Sequence, residues 1–286
     1  MKEIRDKDVD FRFMAIFNRW GTALASNLPG AIFHLYEKPS VALIYDPTSK
    51  LNLERFIKEF KVRIFASPPV SVKEVVSRFD DFLKSDYEKP KIGKGKKQEI
   101  IFIGFNSHDI YPMEIRCEVY EDSVGKFGLV IETEKKINVH NTAFFSTLGD
   151  FNYVISVIDG VSPDFESAIK KRIENGITKF KDKLLKKALR LDAELTADGI
   201  KESFLHDECL RILRNSQEIC YDDSILGLET FSMEEMGDAI ENLINAEICF
   251  SNPNKVRNST GSVYERAVMT IPEGFTWIKQ KKTYCP

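Results

Sequence analysis

The chain has 286 residues, of which 43% are apolar and 30% are charged, and its formal net charge is -3. This length and apolar fraction suffice for a substantial hydrophobic core. The near balance of charge gives no general reason to expect nucleic acid or an acidic membrane as a partner, and no apolar run approaches the roughly 20 residues of a membrane-spanning helix.

The cysteines and the amino terminus indicate a reducing compartment. Five cysteines stand far apart in the sequence, and none forms a CxxC pair. The first residues, MKEIRDKDVDFRF, carry charges where a secretory signal needs an apolar stretch. His206 and Cys209 share one predicted helix face but supply only two of the about four ligands that zinc needs. We therefore expect a cytoplasmic protein with reduced thiols and with no membrane attachment, metal or cofactor.

The amino-terminal part predicts an antiparallel meander of short strands. Turn signals at Trp20-Gly21, Pro29-Gly30 and Lys38-Pro39 separate apolar and aromatic stretches. The predicted strands are Phe11–Asn18, Thr22–Ser26, Ala31–Tyr36 and Ser40–Tyr45.

Two helices are predicted next, followed by a basic loop. Leu53, Phe56, Ile57 and Phe60 recur at helical spacing, and Ser71-Val-Lys-Glu is a capping box that begins a second helix. That helix would bury Val72, Val75, Val76, Phe79 and Phe82. Residues 87–97 (YEKPKIGKGKK) predict an exposed loop; a phosphate-binding loop is the alternative, but the GxxxxGK[ST] pattern is absent.

Strands are predicted again in the middle of the chain. They cover Glu99–Phe105, Met113–Tyr120 and Lys126–Glu132, and the apolar stretch Thr142–Leu148 continues towards Phe151–Ile158. Ser162-Pro163 then has the composition of a helix start, with serine as cap and proline at the first helical position.

The helix after Ser162 carries a strongly basic face. This candidate interaction surface comprises Lys170, Lys171, Arg172, Lys179, Lys181, Lys183, Lys186, Lys187 and Arg190. A surface for nucleic acid or another anionic partner is one interpretation. We favour a solvated helix face because no aromatic residues interleave for base stacking.

The carboxy-terminal part predicts two helices and two closing strands. The helices are Glu202–Ile219 and one that begins with a capping box at Ser232-Met-Glu-Glu; the strands are Ser262–Thr270 and Phe275–Lys279. Helices grouped between blocks of strands predict a layered α+β sandwich rather than a doubly wound parallel sheet.

Several segments together carry a family resemblance. The clearest are FSMEEMGDAIENLINAE followed by GSVYERAVMTIPEGFTWIKQKK, and AFFSTLGDFNYVISVIDGVSPDF; IGFNSHDIYPMEIRCEVY, RWGTALASN and KPSVALIYD add to them. In order and spacing they resemble a bacterial, proteasome-related group of N-terminal-nucleophile (Ntn) hydrolases. The resemblance implies one domain over residues 1–286 with a four-layer αββα sandwich, in which two antiparallel sheets lie between helical layers. Residues 1–10 would be a disordered amino-terminal extension.

The resemblance also implies where an active site would lie. Active members begin their first strand with threonine, serine or cysteine, whose free α-amino group acts as general base, and a nearby lysine assists by electrostatics. Aligned on Gly21, the nucleophile position falls at Phe11 or Arg12, and the acidic position falls on or beside Asn27. The lysine position falls near Ala31. The chemistry is missing at all three, so we expect a pseudoenzyme with no catalytic residue.

Three functions follow as hypotheses. The first is a non-catalytic proteasome-like subunit that self-associates or binds a protein partner, such as a paralogous subunit. The second is an active threonine peptidase or amidohydrolase self-processed at Gly21-Thr22, with Thr22 as nucleophile. The third is a binder of anionic ligands or nucleic acid through the 87–97 loop and the 170–190 helix, which we do not favour.

Overall fold

The computed structural model describes part of the chain, in several segments. They are residues 10–48, 53–64, 69–85, 98–121, 127–149, 151–158, 171, 175, 178, 211, 227–251 and 263–280. Tertiary contacts divide the chain into two compact units, Met1–Phe151 with Leu226–Pro286, and Asn152–Ile225. The single domain expected over residues 1–286 stays a prediction.

The first unit contains ten strands in two antiparallel sheets. The strands are β1 (Arg12–Asn18), β2 (Gly21–Ser26), β3 (Ile32–Glu37), β4 (Ser40–Tyr45), β5 (Gln98–Gly104), β6 (Met113–Glu121), β7 (Phe127–Lys136), β8 (Ala143–Gly149), β9 (Glu265–Thr270) and β10 (Gly274–Gln280). The first sheet has the order β10-β9-β2-β1-β8, and the second has the order β3-β4-β5-β6-β7. The predicted α+β class with two antiparallel sheets is confirmed.

Four helices have both their ends within the described residues. They are α1 (Leu53–Ile64), α2 (Val72–Lys84), α3 (Asn152–Ile158) and α4 (Met233–Ser251). Helix α3 lies in the second unit, where Val154 and Ile158 are buried. No helix of the described segments is long and apolar enough to cross a membrane.

Helices α1 and α2 cover the outer face of the second sheet. All five predicted apolar residues of α2 are buried there, together with alternate residues of β4, β5 and β6. The ring of Phe79 makes edge contacts with Phe56, Phe60 and Phe102, at centroid distances of 5.8, 4.9 and 5.5 Å. Edge-to-face aromatic packing of this kind stabilises a core beyond the area that it buries.

Helix α4 covers the outer face of the first sheet. Met236, Ile240 and Ile244 are buried against it. Arg266 on β9 donates to Asp238 Oδ1 at 2.8 Å and to the Glu234 carbonyl at 3.1 Å. The two sheets face each other inside this unit, because His34 of β3 stacks on Phe275 of β10 at a centroid distance of 4.6 Å. The layers are therefore helix, sheet, sheet and helix.

Both predicted serine caps are present, and the reciprocal capping box is complete at α4. Ser71 Oγ accepts the Glu74 amide at 3.1 Å, and Ser232 Oγ accepts the Glu235 amide at 3.2 Å. The glutamates reach back differently: Glu235 accepts the amide of Ser232, whereas Glu74 accepts that of Val70, one residue before the cap. These amides lower the pKa of both carboxyls.

We expect Ser71→Ala to destabilise the first unit by about 1 kcal/mol, because it orphans the Glu74 amide at the start of α2. Urea denaturation followed by circular dichroism would measure the change. Ser71→Asp, which keeps an acceptor at the cap, is the matched control and should retain most of the stability. Equal losses in the two variants would contradict a capping role.

Candidate functional site

The position that the resemblance assigns to a nucleophile lies at the beginning of β1, a central strand of the first sheet. Phe11 and Arg12 are buried there, at 5% and 4% exposure. The Arg12 amide donates to Asn27 Oδ1 at 2.7 Å, and the Arg12 carbonyl accepts the Asn27 amide at 3.1 Å. The sequence-predicted neighbours Arg12 and Asn27 are therefore in direct contact.

The backbone before Arg12 is fixed in the same way. Asn27 Nδ2 donates to the Asp10 carbonyl at 2.9 Å, so one amide side chain binds the chain on both sides of Phe11. Gly149, at the end of β8, allows the Phe11 carbonyl to approach closely: a Cβ there would lie 2.1 Å from that oxygen, and the φ of Gly149 is +102°. The chain thus runs through this position as hydrogen-bonded strand.

Ala31, at the predicted lysine position, faces an acidic group instead. Its amide donates to Glu265 Oε2 at 3.1 Å, and the amides of Gly30 and Ile32 donate to the same carboxylate at 2.8 and 3.2 Å. Glu265 is the first residue of β9 and is 2% exposed. We call these three amides with Glu265 the carboxylate nest; consecutive backbone amides of this kind bind anions.

The carboxylate nest gives this end of the sandwich a charge opposite to that of the expected lysine. Burial raises the pKa of Glu265, and the amides of Gly30, Ile32 and Ala31 oppose the rise. A carboxyl group cannot stabilise a developing oxyanion as an ammonium group does. The described residues here supply neither a nucleophile at Phe11 or Arg12 nor a lysine at Ala31.

Comparison with solved structures finds similar chains at low sequence identity. No protein-family model and no curated protein matches the chain. The structure is similar to Anbu (ancestral beta-subunit) from Yersinia bercovieri, with 12% identity and a TM-score of 0.37 over 96% of this chain and 89% of that one. It is also similar to an Anbu (Gly-1) mutant from Hyphomicrobium sp. strain MC1, with 12% identity and a TM-score of 0.32 over 72% of this chain and 96% of that one. Similarity this low says nothing about activity.

Thr22, the alternative nucleophile, lies inside the first sheet. It is fully buried and pairs with Phe17 of β1 and Met269 of β9. Its hydroxyl has no hydrogen-bond partner. Gly21 before it is tightly enclosed, because a Cβ there would lie 2.4 Å from the Met269 carbonyl oxygen. Cleavage between Gly21 and Thr22 would separate β1 from a sheet in which it pairs on both sides.

Most of the basic candidate surface lies outside the described residues. Lys171 is described, and it is helical and exposed. The other members, Lys170, Arg172, Lys179, Lys181, Lys183, Lys186, Lys187 and Arg190, and the 87–97 loop fall outside the described segments. Among the residues that are described, no group of three or more His, Cys, Asp or Glu side chains could hold a metal ion.

Sequence reasoning missed a second polar cluster, between the two sheets. Glu114 and Arg116 of β6 point towards the first sheet, since their neighbours Met113, Ile115 and Cys117 belong to the helix-side core. Arg116 Nη2 donates to the Thr147 carbonyl of β8 at 2.7 Å, and its Nη1 donates to Glu99 Oε1 at 3.0 Å.

Glu114 is the buried acid of this cluster. It has no exposed surface, and its Oε1 lies 3.7 Å from Arg116 Nε. Burial raises its pKa, while the hydroxyl of Ser146 and the charges of Arg116 and Lys135 oppose the rise. No local sequence signal marks these acids as buried, because Glu114 occupies a regular polar position in the alternation of β6 and Glu265 is the first residue of β9.

Proposed function

We propose that this chain is a non-catalytic, proteasome-like Ntn-fold subunit that acts by self-association or by binding a protein partner. The observation that carries the proposal is that Phe11 and Arg12 have no hydroxyl or thiol nucleophile and that the backbone of Arg12 is hydrogen-bonded twice to Asn27. An Ntn nucleophile needs a free α-amino group beside its side chain. Here the corresponding nitrogen is an amide whose proton is donated to Asn27.

The carboxylate nest supports the same proposal. Glu265 uses the amides around Ala31 that would otherwise be open to a substrate or a catalytic partner. Because the side chain of Glu265 already binds these amides, they favour a structural role for this end of the sandwich. The edge strand β7 also supports a binding role, since Val130 and Ile131 are 48% and 53% exposed on it. Exposed apolar edge strands are typical sites of pairing with another chain.

The test is the mass of the purified protein, measured once after denaturation and once under native conditions. We expect an uncleaved subunit after denaturation, because Thr22 and its preceding peptide bond lie within the paired sheet. Under native conditions we expect a dimer or a larger assembly.

One outcome would contradict the proposal, and a second would restrict it to binding a different protein. A subunit that lacks residues 1–21 would show processing and assign the nucleophile to Thr22; Thr22→Ala would then have to abolish the cleavage, whereas Thr276→Ala, an exchange of the same kind on β10, would not. A native mass of one subunit at tens of micromolar would exclude self-association and leave binding to a different protein.

A further inference from the structure

A groove opens between the two sheets at the end of the sandwich opposite Arg12. Its volume is about 450 Å³. Three turns form it: the β3–β4 turn, the segment after β5 and the β9–β10 turn. The groove is lined by Glu37, Lys38, Pro39, Ser40, Phe105, Asn106, Ser107, Asp109, Thr270, Ile271, Pro272, Glu273, Gly274 and Phe275. All of these residues belong to the first unit.

Ser40 belongs to the lining of this groove and carries a buried hydroxyl without a partner. Ser40 is 6% exposed, and its Oγ has no hydrogen-bond partner. Its side chain points towards the first sheet, since Val41 and Leu43 alternate with it and pack on the helix side. A buried hydroxyl without a partner costs free energy, so it is a natural contact for a bound group.

The lining of the groove includes two aromatic side chains, Phe105 and Phe275. Phe105 is buried, and Phe275 stacks on His34 with an angle of 6° between the ring planes. Burial lowers the pKa of His34, which keeps the imidazole neutral at neutral pH. Phe105 and Phe275 line the groove together with Ser40, and aromatic rings attract cations.

The rim of the groove carries an excess of negative charge. Asp109 is neutralised by Lys136, whose Nζ lies 2.7 Å from its Oδ2. Glu37 and Glu273 are exposed and have no ion-pair partner among the described residues, and Lys38 is the one basic residue in the lining. Two unpaired carboxylates thus stand against one ammonium group, which favours a positively charged ligand.

We propose that this groove binds a cationic nitrogen group, either a guanidinium or a primary ammonium. The group donates a hydrogen bond to Ser40 Oγ, lies against Phe105 and Phe275, and is attracted by Glu37 and Glu273. Its source is either a free amine or a basic side chain of another protein, and both share this chemistry. The inference does not depend on the proposed function, because the groove and the Arg12 end are separate.

Titration calorimetry of the full chain tests the proposal with three probes. They are agmatine, the peptide acetyl-Gly-Arg-Gly-amide and the anionic peptide acetyl-Gly-Glu-Gly-amide. We expect a Kd of about 1 mM or lower for at least one of the cationic probes and no binding of the anionic one. Binding of agmatine alone would indicate a free amine, and binding of the arginine peptide alone would indicate a segment of a partner protein.

Two variants locate the binding in the groove. Glu37→Gln with Glu273→Gln should weaken binding about tenfold or more and reduce its dependence on salt. Glu132→Gln with Glu134→Gln removes the same charge from exposed positions on β7 and should leave binding unchanged. Ser40→Ala should also weaken binding, while the Tm of the free protein stays equal or rises, because a buried unpartnered hydroxyl is removed. The proposal would be overturned if neither cationic probe bound, or if the variant with Glu37→Gln and Glu273→Gln bound them as tightly as the unsubstituted protein.

Discussion

Glu265→Ala is expected to destabilise the first unit by about 4 kcal/mol, since hydrogen bonds to a charged group contribute roughly 1.5–3 kcal/mol each and their buried partners are left unsatisfied. The alanine leaves the amides of Gly30, Ala31 and Ile32 without their acceptor. The substitution also removes the contact between the start of β3 and β9, and this contact connects the two sheets. Chemical denaturation monitored by tryptophan fluorescence would measure the loss.

Glu265→Gln distinguishes the contribution of the hydrogen-bond acceptors to stability from the contribution of side-chain packing. Glutamine keeps the shape of the side chain and one oxygen, but its NH₂ group must face an amide donor. We therefore expect an intermediate loss. Glu273→Ala, at an exposed turn between β9 and β10, is the control and should change stability by about 0.5 kcal/mol or less. If Glu265→Ala were as mild as Glu273→Ala, the carboxylate nest would contribute nothing to the fold.

The elements that could be predicted from sequence are those with strong local signals. Ser40–Tyr45 was predicted with the bounds that the structure has, because an apolar run follows a turn signal directly. The capping residue Ser71 likewise marked the start of α2. Strand β7 was predicted to end at Glu132 but continues to Lys136, since its last residues are polar and exposed at the edge of the sheet. Hydrophobic patterns cannot detect a strand that leaves the core.

The polar sites depended on contacts that no local pattern contains. Glu265 meets Gly30 across 235 positions of sequence, and Arg116 meets Thr147 across 31. Such contacts follow from strand order and register, which periodicity does not specify. The positions of Arg12 and Asn27 were inferred from the family resemblance, by alignment on Gly21, and the structure brings the two residues into contact at the open end of the β1–β2 hairpin.

Arg116→Met is the second large effect, with an expected loss of about 3 kcal/mol, because it leaves the fully buried Glu114 without the positive charge of its partly exposed partner. Glu114 would lose the positive charge whose Nε lies 3.7 Å from it, and the Thr147 carbonyl would lose its donor. Glu114→Gln alone should leave the stability nearly unchanged. The double variant should be more stable than Arg116→Met by about 1–2 kcal/mol, since the two residues are coupled.

The pH dependence of this loss identifies Glu114 as its cause. Burial raises the pKa of Glu114, so its contribution to stability is full below the ordinary carboxyl pKa and is lost as the pH rises through the folded-state value. Protonated Glu114 no longer needs Arg116, and the deficit of Arg116→Met should therefore shrink as the pH falls from 7.5 towards about 5. Arg78→Met, which removes an arginine from a partly exposed pair with Glu74, controls for the loss of a guanidinium and should cost about 1 kcal/mol or less. A deficit that stays constant with pH, or persists undiminished in the double variant, would assign the effect to the Thr147 and Glu99 contacts instead of the buried acid.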